Sequence, residues 1–213
     1  MRYIFIPTIL ICFSINGQTN INLIDSSSKL QYDSVRVELE QMFYIDQGLR
    51  KIFEDSVGYN SSEANRFLGR LWTIDKINQK ELQEILDKYG WLPISKVGVR
   101  ANEAIFYIIQ HSNIDMMDKY FPQLQELAKK SEAKKTDAAM MEDRLLMWKG
   151  KKQKYGTQAS WINGRSAIWP IEEPDKVDSL RKDAGFSMTI LENAHRLNAE
   201  YNPKEKLPNK QDK

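Results

Sequence analysis

The sequence has little cysteine, no excess of one charge and no long apolar run, and each shortage excludes a class of protein. Its one cysteine, Cys12, lies in an apolar N-terminal stretch, so no disulfide can form within the 213-residue chain. Lysine and arginine number 31 against 29 aspartates and glutamates, without the basic excess of a dedicated nucleic-acid binder. No apolar run reaches the roughly 18 to 20 residues that cross a bilayer as a helix. We therefore expect no nucleic-acid partner and no stable membrane insertion.

The common catalytic motifs are missing as well. The sequence has no Gly-x-Ser-x-Gly elbow, no phosphate-binding Gly-x-x-x-x-Gly-Lys, no dinucleotide glycine fingerprint and no His-Glu-x-x-His. Its two histidines, His111 and His195, are far apart in the chain and do not have metal-ligand spacing. We therefore expect neither a metal site nor a cofactor.

Residues 1–17 have the pattern of a secretory signal peptide. A short positive start at Met1 and Arg2 is followed by an apolar stretch, and Gly17 supplies a small residue before Gln18. Cleavage after Gly17 would remove the only thiol and export the chain, as a periplasmic or secreted protein. An uncleaved anchor fits less well because the apolar stretch is short. Lipidation of Cys12 also fits less well, because the preceding Ile11 is bulky.

The remaining chain divides into a linker, one folded domain and a tail. Residues 18–33 are rich in Asn, Ser and Thr, and residues 202–213 in Lys, Pro and Asn, so we predict a flexible linker and a disordered tail. The domain between them, residues 34–201, has mainly helical periodicity. The predicted helices cover residues 35–55, 62–71, 76–88, 98–112, 115–130, 137–149, 175–183 and 187–199.

Capping residues and turn residues refine these boundaries. Asp75 and Thr136 are placed to cap the helices that follow them, and Gly90 and Gly150 follow helix ends. Asn163-Gly164 favours a type I′ turn between residues 157–162 and 165–170, which predicts a two-stranded hairpin. The expected fold is mainly α, a single domain of about six to eight helices with a small hairpin in its C-terminal part.

Asp46 lies in the middle of an apolar stripe on the first helix. Leu39 and Phe53 share its direction on a helical projection, and Arg50 at i+4 can pair with it. A buried carboxylate needs such a partner, because an unpaired charge costs several kcal/mol. Two interpretations remain open: a structural ion pair, or a carboxylate that faces a cleft.

His111 is a polar residue on a helix that is otherwise apolar almost all round. It lies close to the direction of Val97, Ala104 and Ile108. One interpretation is a core histidine bonded to a backbone carbonyl, and the other is a catalytic or ligand-binding group. On the helix at 137–149, by contrast, Asp143 and Arg144 lie away from the core face and have the positions of surface charges.

A series of short motifs resembles the bacterial family catalogued as domain of unknown function 6624. The series consists of Asp46-Gln47-x-x-Arg50, Asp75-x-x-Asn78, Tyr89-Gly90-Trp91-Leu92-Pro93, Gln110-His111, Glu142-Asp143-Arg144 and Tyr155-Gly156-Thr157-Gln158. The resemblance spans most of the chain but carries no activity. It implies that eight of these residues act as one set: Asp46, Arg50, His111, Asp143, Arg144, Tyr155, Thr157 and Gln158. Where many members resemble Gln-His-Ala-Asp, this chain has Ser112 and Asn113, which leaves Asp115 as a substitute partner for His111.

Three functions are compatible with this set. The first is binding of a small polar, anionic, peptide or glycan ligand in a cleft. The second is a cofactor-independent hydrolase or lyase, in which Asp46 or His111 is the general base and Arg50 or Arg144 stabilises an oxyanion. The third is a structural or interaction protein with a buried polar network. The expected ligand contacts are Gln47, Arg50, Gln110, Asp143, Arg144, Tyr155, Thr157 and Gln158.

Overall fold

The structure is a computed structural model that describes residues 25–208, with side chains from residue 32 onwards. In this part of the chain the elements are α1 (Asp25–Ile52), a π-helical turn (Phe53–Val57), α2 (Ala64–Tyr89), α3 (Ile94–Gln110), α4 (Ile114–Lys129), α5 (Lys135–Trp148), β1 (Ala159–Ile162), β2 (Arg165–Ile168), α6 (Val177–Asp183) and α7 (Ile190–Arg196). The predicted fold class is confirmed: the described domain is mainly helical, with one small hairpin. None of its helices is long and apolar enough to span a membrane.

The first two helices differ from their predicted limits. Helix α1 begins at Asp25, so residues 25–33 of the predicted linker are helical, since that stretch has no Gly or Pro to stop the helix. The predicted signal peptide and residues 18–24 lie outside the described residues. The helices predicted at 62–71 and 76–88 are one continuous helix, α2. Asp75 lies inside α2 and is not a cap, so that prediction was wrong.

Helix α3 is the central element of the larger core. Apart from a kink at Gly98, whose φ of 80° suits glycine, it is helical from Ile94 to Gln110. It packs along α1, and α4 and α5 complete the same core around buried residues such as Ile105 and Ile109. This packing places one edge of α3 between α1 and α5.

The boundaries of α5 were predicted in part. The helix begins at Lys135, and Lys134 occupies the N-cap position. Thr136 therefore lies in the first turn, and the prediction that it caps the helix was wrong. The two glycines expected after helix ends are in place, because Gly90 and Gly150 both have a φ of 68°.

The C-terminal part forms a second, smaller core around the hairpin. Strands β1 and β2 are antiparallel with Ile162 opposite Arg165, and the turn residues Asn163 and Gly164 have φ of 50° and 78°, as a type I′ turn requires. Both strands are shorter than predicted, and the first does not include Thr157, whose backbone N–H donates to a carboxylate of α5. Helices α6 and α7 close this core, which contains Ile168, Ile171, Val177, Ile190 and Ala194. Glu200, just before the predicted tail, bonds to the backbone of β2.

Candidate functional site

Arg50, in the last turn of α1, joins three elements through its guanidinium group. Its Nε donates to His111 Nδ1 at 3.0 Å, and its Nη2 lies 2.9 Å from Asp75 Oδ1 on α2 and 3.3 Å from Asp46 Oδ1. The predicted pair of Asp46 and Arg50 therefore exists as part of a larger network. Asp75, predicted only as a cap, is its second carboxylate.

Asp46 is enclosed by this network. The residue is 1% exposed, and its other oxygen, Oδ2, accepts from Gln47 Nε2 at 2.7 Å. Burial acts to raise the pKa of Asp46, but the contacts with His111, Arg50 and Gln47 outweigh it and hold the pKa below its usual range. The carboxylate is thus ionised, with both of its oxygens occupied.

His111 follows the last residue of α3, and its Nδ1 atom lies between two partners. Arg50 Nε, at 3.0 Å, needs Nδ1 as an acceptor, whereas Asp46 Oδ1, at 3.2 Å, needs it as a donor, so each tautomer of the ring satisfies one of the two contacts. Asp46 Oδ1 also lies 3.3 Å from Arg50 Nη2. Burial lowers the pKa of His111 and the charges of Arg50 and Arg144 lower it further, while Asp46 opposes them in part. His111 is therefore neutral near pH 7.

Arg144, on α5, lies beside this network without a carboxylate partner. Its Nε donates to Gln158 Oε1 at 3.0 Å and its Nη1 to the backbone oxygen of Gln110 at 2.7 Å. Burial lowers the pKa of Arg144 to about 10, and the nearby charge of Arg50 contributes to this shift. Arg144 is still charged at neutral pH, and no carboxylate of the described residues forms an ion pair with it.

The helical position of Asp143 predicted a surface charge. The structure contradicts this prediction, because the residue is 0% exposed. Its carboxylate accepts the backbone N–H groups of Lys154 at 2.8 Å, of Tyr155 at 3.1 Å and of Thr157 at 2.9 Å, and also the Thr157 hydroxyl at 2.9 Å. Burial raises the pKa of Asp143, and these four donors act in the opposite direction. Asp143 thus fixes the loop that carries Tyr155, Thr157 and Gln158.

The same loop is held from its other sides by buried groups. Arg181 Nη1 donates to Tyr155 O and Asn193 Nδ2 to Gly156 O, both at 2.8 Å. Gly156 has a φ of 67°, and a Cβ there would lie 2.3 Å from Ile190 Cδ1. Glycine is favoured at this position, because other residues are strained at this positive φ and a Cβ would also displace the end of the Ile190 side chain.

Tyr155 does not join the arginines and His111. Its ring packs against Phe186, with centroids 6.4 Å apart, and lines a cavity together with Glu142 and Leu180. On a helix, Glu142 and Arg144 project about 200° apart, so this cavity lies on the other side of α5. Gln110, in contrast, is buried near Arg144: its Nε2 is 3.5 Å from Met140 O, and its Oε1 has no partner.

The structure thus separates the predicted residues into three groups and one separate residue. The first group is in direct contact and contains Asp46, Gln47, Arg50 and His111. The second lies beside it and contains Gln110, Arg144 and Gln158, and the third, Asp143 and Thr157, fixes the loop, while Tyr155 lies apart. In the described part of the chain, no three His, Cys, Asp or Glu side chains are grouped to hold a metal ion.

Asp137, at the start of α5, was not predicted. It is 4% exposed, its Oδ2 has no hydrogen-bond partner, and burial raises its pKa to about 7. Tyr107 lies near it on α3 and stacks on His111, with ring centroids 6.2 Å apart. A polar residue in the first turn of a helix usually faces solvent or caps the helix, so the sequence gives no signal for this burial.

These features define a mainly helical domain with a polar network at the junction of α1, α2, α3 and α5. A family model described as a family of unknown function (DUF6624) matches residues 33–205, and the chain belongs to this family. This agrees with the resemblance carried by the motif series. No curated protein and no solved structure matches the chain.

Proposed function

We propose that the protein binds an anionic group of a small polar, peptide or glycan ligand at Arg144, Arg50 and His111. The observation that carries this proposal is the charge of Arg144, which is partly buried without a carboxylate partner. A buried charge is normally paired, because removing it from water costs several kcal/mol. An anionic ligand would supply the missing counter-charge.

Unused donors support the same proposal. Arg144 Nη2, Arg50 Nη1 and His111 Nε2 have no hydrogen-bond partner among the described residues. None of them belongs to the buried nitrogens that lack partners, so each reaches solvent. Arg144 Nη2 and Arg50 Nη1, on two cations, suit the oxygens of a carboxylate or phosphate, and His111 Nε2 joins them when it carries the ring proton.

The contacts favour binding over the alternative of general-base catalysis. Asp46 is 1% exposed, so its carboxylate does not face a substrate in solution. The proposal takes His111 with its proton on Nε2, as the contact of Nδ1 with Arg50 Nε allows, so that Nε2 donates to an anion and does not act as a base.

Replacing Arg144 with Gln is expected to weaken anion binding at least about tenfold, since a hydrogen bond to a charged group contributes about 1.5 to 3 kcal/mol. The measurement is thermal unfolding of the purified protein in inorganic phosphate against chloride at constant ionic strength and pH 7.5. Phosphate at about 100 times its Kd would stabilise the wild-type protein by about 2.7 kcal/mol. The variant should lose this response.

The matched control is Arg36→Gln, which removes an arginine from the exposed face of α1, where Arg36 pairs with Glu40. It should respond to phosphate like the wild-type protein. Equal responses of Arg144→Gln and the wild-type protein would contradict the proposal, as would no response of the wild-type protein to phosphate, sulfate or small carboxylates.

We also propose that the chain is exported and that the ligand is met in the periplasm or outside the cell. The support is the charged start, short apolar stretch and small residue that precede Gln18. Mass spectrometry of the protein from its native cells should give a mature N-terminus at Gln18. A terminus that retains Cys12, with or without a lipid, would overturn this proposal.

A further inference from the structure

A second concave site lies on the far side of α5 from Arg144. It is a cavity of about 300 Å³ between the C-terminal part of α4, the first half of α5 and the end of α6. Small apolar residues form its floor, among them Ala128 and Ala138, while Leu180 and Tyr155 supply larger apolar surfaces. Its volume is at the lower end of small-molecule sites, so it suits a ligand of few atoms.

The Tyr155 wall of this cavity is held rigidly. The backbone N–H of Tyr155 is fixed by Asp143, its carbonyl oxygen by Arg181, and its ring packs on Phe186. Burial raises the pKa of Tyr155 and the carboxylate of Glu142 raises it further, so the hydroxyl stays neutral. A preformed wall reduces the entropy lost when a ligand binds.

The charges on the rim differ in how they are compensated. Lys129 pairs with Glu126 at 2.6 Å, and Glu142 pairs with Lys154 at 2.6 Å. The other two rim charges, Lys135 on α5 and Asp183 at the end of α6, form no ion pair with each other or with any other described residue. The cavity thus presents one free cation and one free anion, within the part of the chain that the structure describes, above an apolar floor.

We infer that this cavity binds a small zwitterion with an apolar side chain, an amino acid or a dipeptide. The ligand carboxylate would pair with Lys135, its ammonium group with Asp183, and its side chain would cover the alanines. A ligand with a single charge would leave one of the two rim charges unpaired. The site is separate from the anion site at Arg144 and does not depend on it.

The test is calorimetric titration of the purified full chain with leucyl-leucine, its N-acetyl form and its C-terminal amide, all in the Arg144→Gln background to silence the other site. The free dipeptide should bind, and each blocked form should bind at least about tenfold more weakly. Lys135→Gln should remove the difference in affinity between the free dipeptide and its C-terminal amide. Asp183→Asn should remove the difference in affinity between the free dipeptide and its N-acetyl form.

Two further variants complete the test. Ala138→Leu fills the floor and should abolish binding, with an unchanged melting curve showing that the domain still folds. Lys182→Gln changes an exposed lysine of α6 that does not line the cavity, and it should bind like the parent. No binding of the dipeptide, equal binding of all three forms, or binding that survives Ala138→Leu would each overturn the inference, whatever the outcome at Arg144.

Discussion

Replacing Asp143 with Asn is expected to lower the free energy of unfolding by about 2 to 5 kcal/mol, because each buried donor left without an acceptor costs about 1 to 3 kcal/mol. The carboxylate accepts from three backbone N–H groups and one hydroxyl of the loop at 154–157. An amide has only one accepting oxygen and turns an NH₂ group towards donors. The donors that lose their acceptor are partly buried, so part of their desolvation cost remains. Urea denaturation, followed by tryptophan fluorescence, measures the change.

The matched control is Asp118→Asn. Asp118 pairs with Lys149 at 2.6 Å, but both side chains are largely exposed. Exposed pairs contribute about 0 to 1 kcal/mol, so this variant should unfold nearly like the wild-type protein. A loss below about 1 kcal/mol for Asp143→Asn as well would mean that the loop is not held by the carboxylate. The variant should also loosen Gln158, and through it Arg144, so phosphate binding should weaken in parallel.

Replacing Asp46 with Asn is expected to lower the free energy of unfolding at pH 7 by about 3 kcal/mol, because Arg50 would lose a buried counter-charge. The pKa of Asp46 is lower in the folded chain, so its contribution is present above about pH 4 and is lost as the pH falls through the folded pKa. The difference between variant and wild type should therefore shrink below pH 4. Denaturation midpoints across this range give the comparison.

A suitable control is Glu40→Gln on the same helix, because Glu40 pairs with Arg36 near the surface. It should have a small effect at every pH. If Asp46→Asn retained wild-type stability while phosphate binding disappeared, Asp46 would be a ligand-facing group and not the buried partner of Arg50. That result would favour the catalytic alternative, in which Asp46 contacts the substrate.

Two polar residues that interrupt apolar stripes lie together at the contact between α1 and α3. Asp46 and His111 each interrupt an apolar stripe, and two such interruptions on packed helices are brought together when the helices bury their stripes. Arg50 was predicted from its i+4 spacing to Asp46. What periodicity could not supply was Asp75, because α2 reaches Arg50 only after the chain has turned.

The burial of Asp143 shows why one helix alone is insufficient. Within α5, Met141 and Leu145 define the core face, and Asp143 projects away from it. The loop that covers Asp143 comes later in the chain, and it contacts the carboxylate through backbone N–H groups. Because backbone groups make this contact, the pattern of apolar residues does not predict it. Only the order of the short motifs linked Asp143 with Tyr155 and Thr157.

Asp137 and His111 change the number of protons bound on folding in opposite directions. Between about pH 4 and 7 the folded chain holds a proton on Asp137 that the unfolded chain has released, so folding takes up a proton there. Below about pH 6.5 the unfolded chain protonates His111 while the folded chain keeps it neutral, so folding releases a proton there. Where both conditions hold, the uptake at one residue offsets the release at the other. The two buried groups therefore make opposite contributions to the pH dependence of stability through mild acidification.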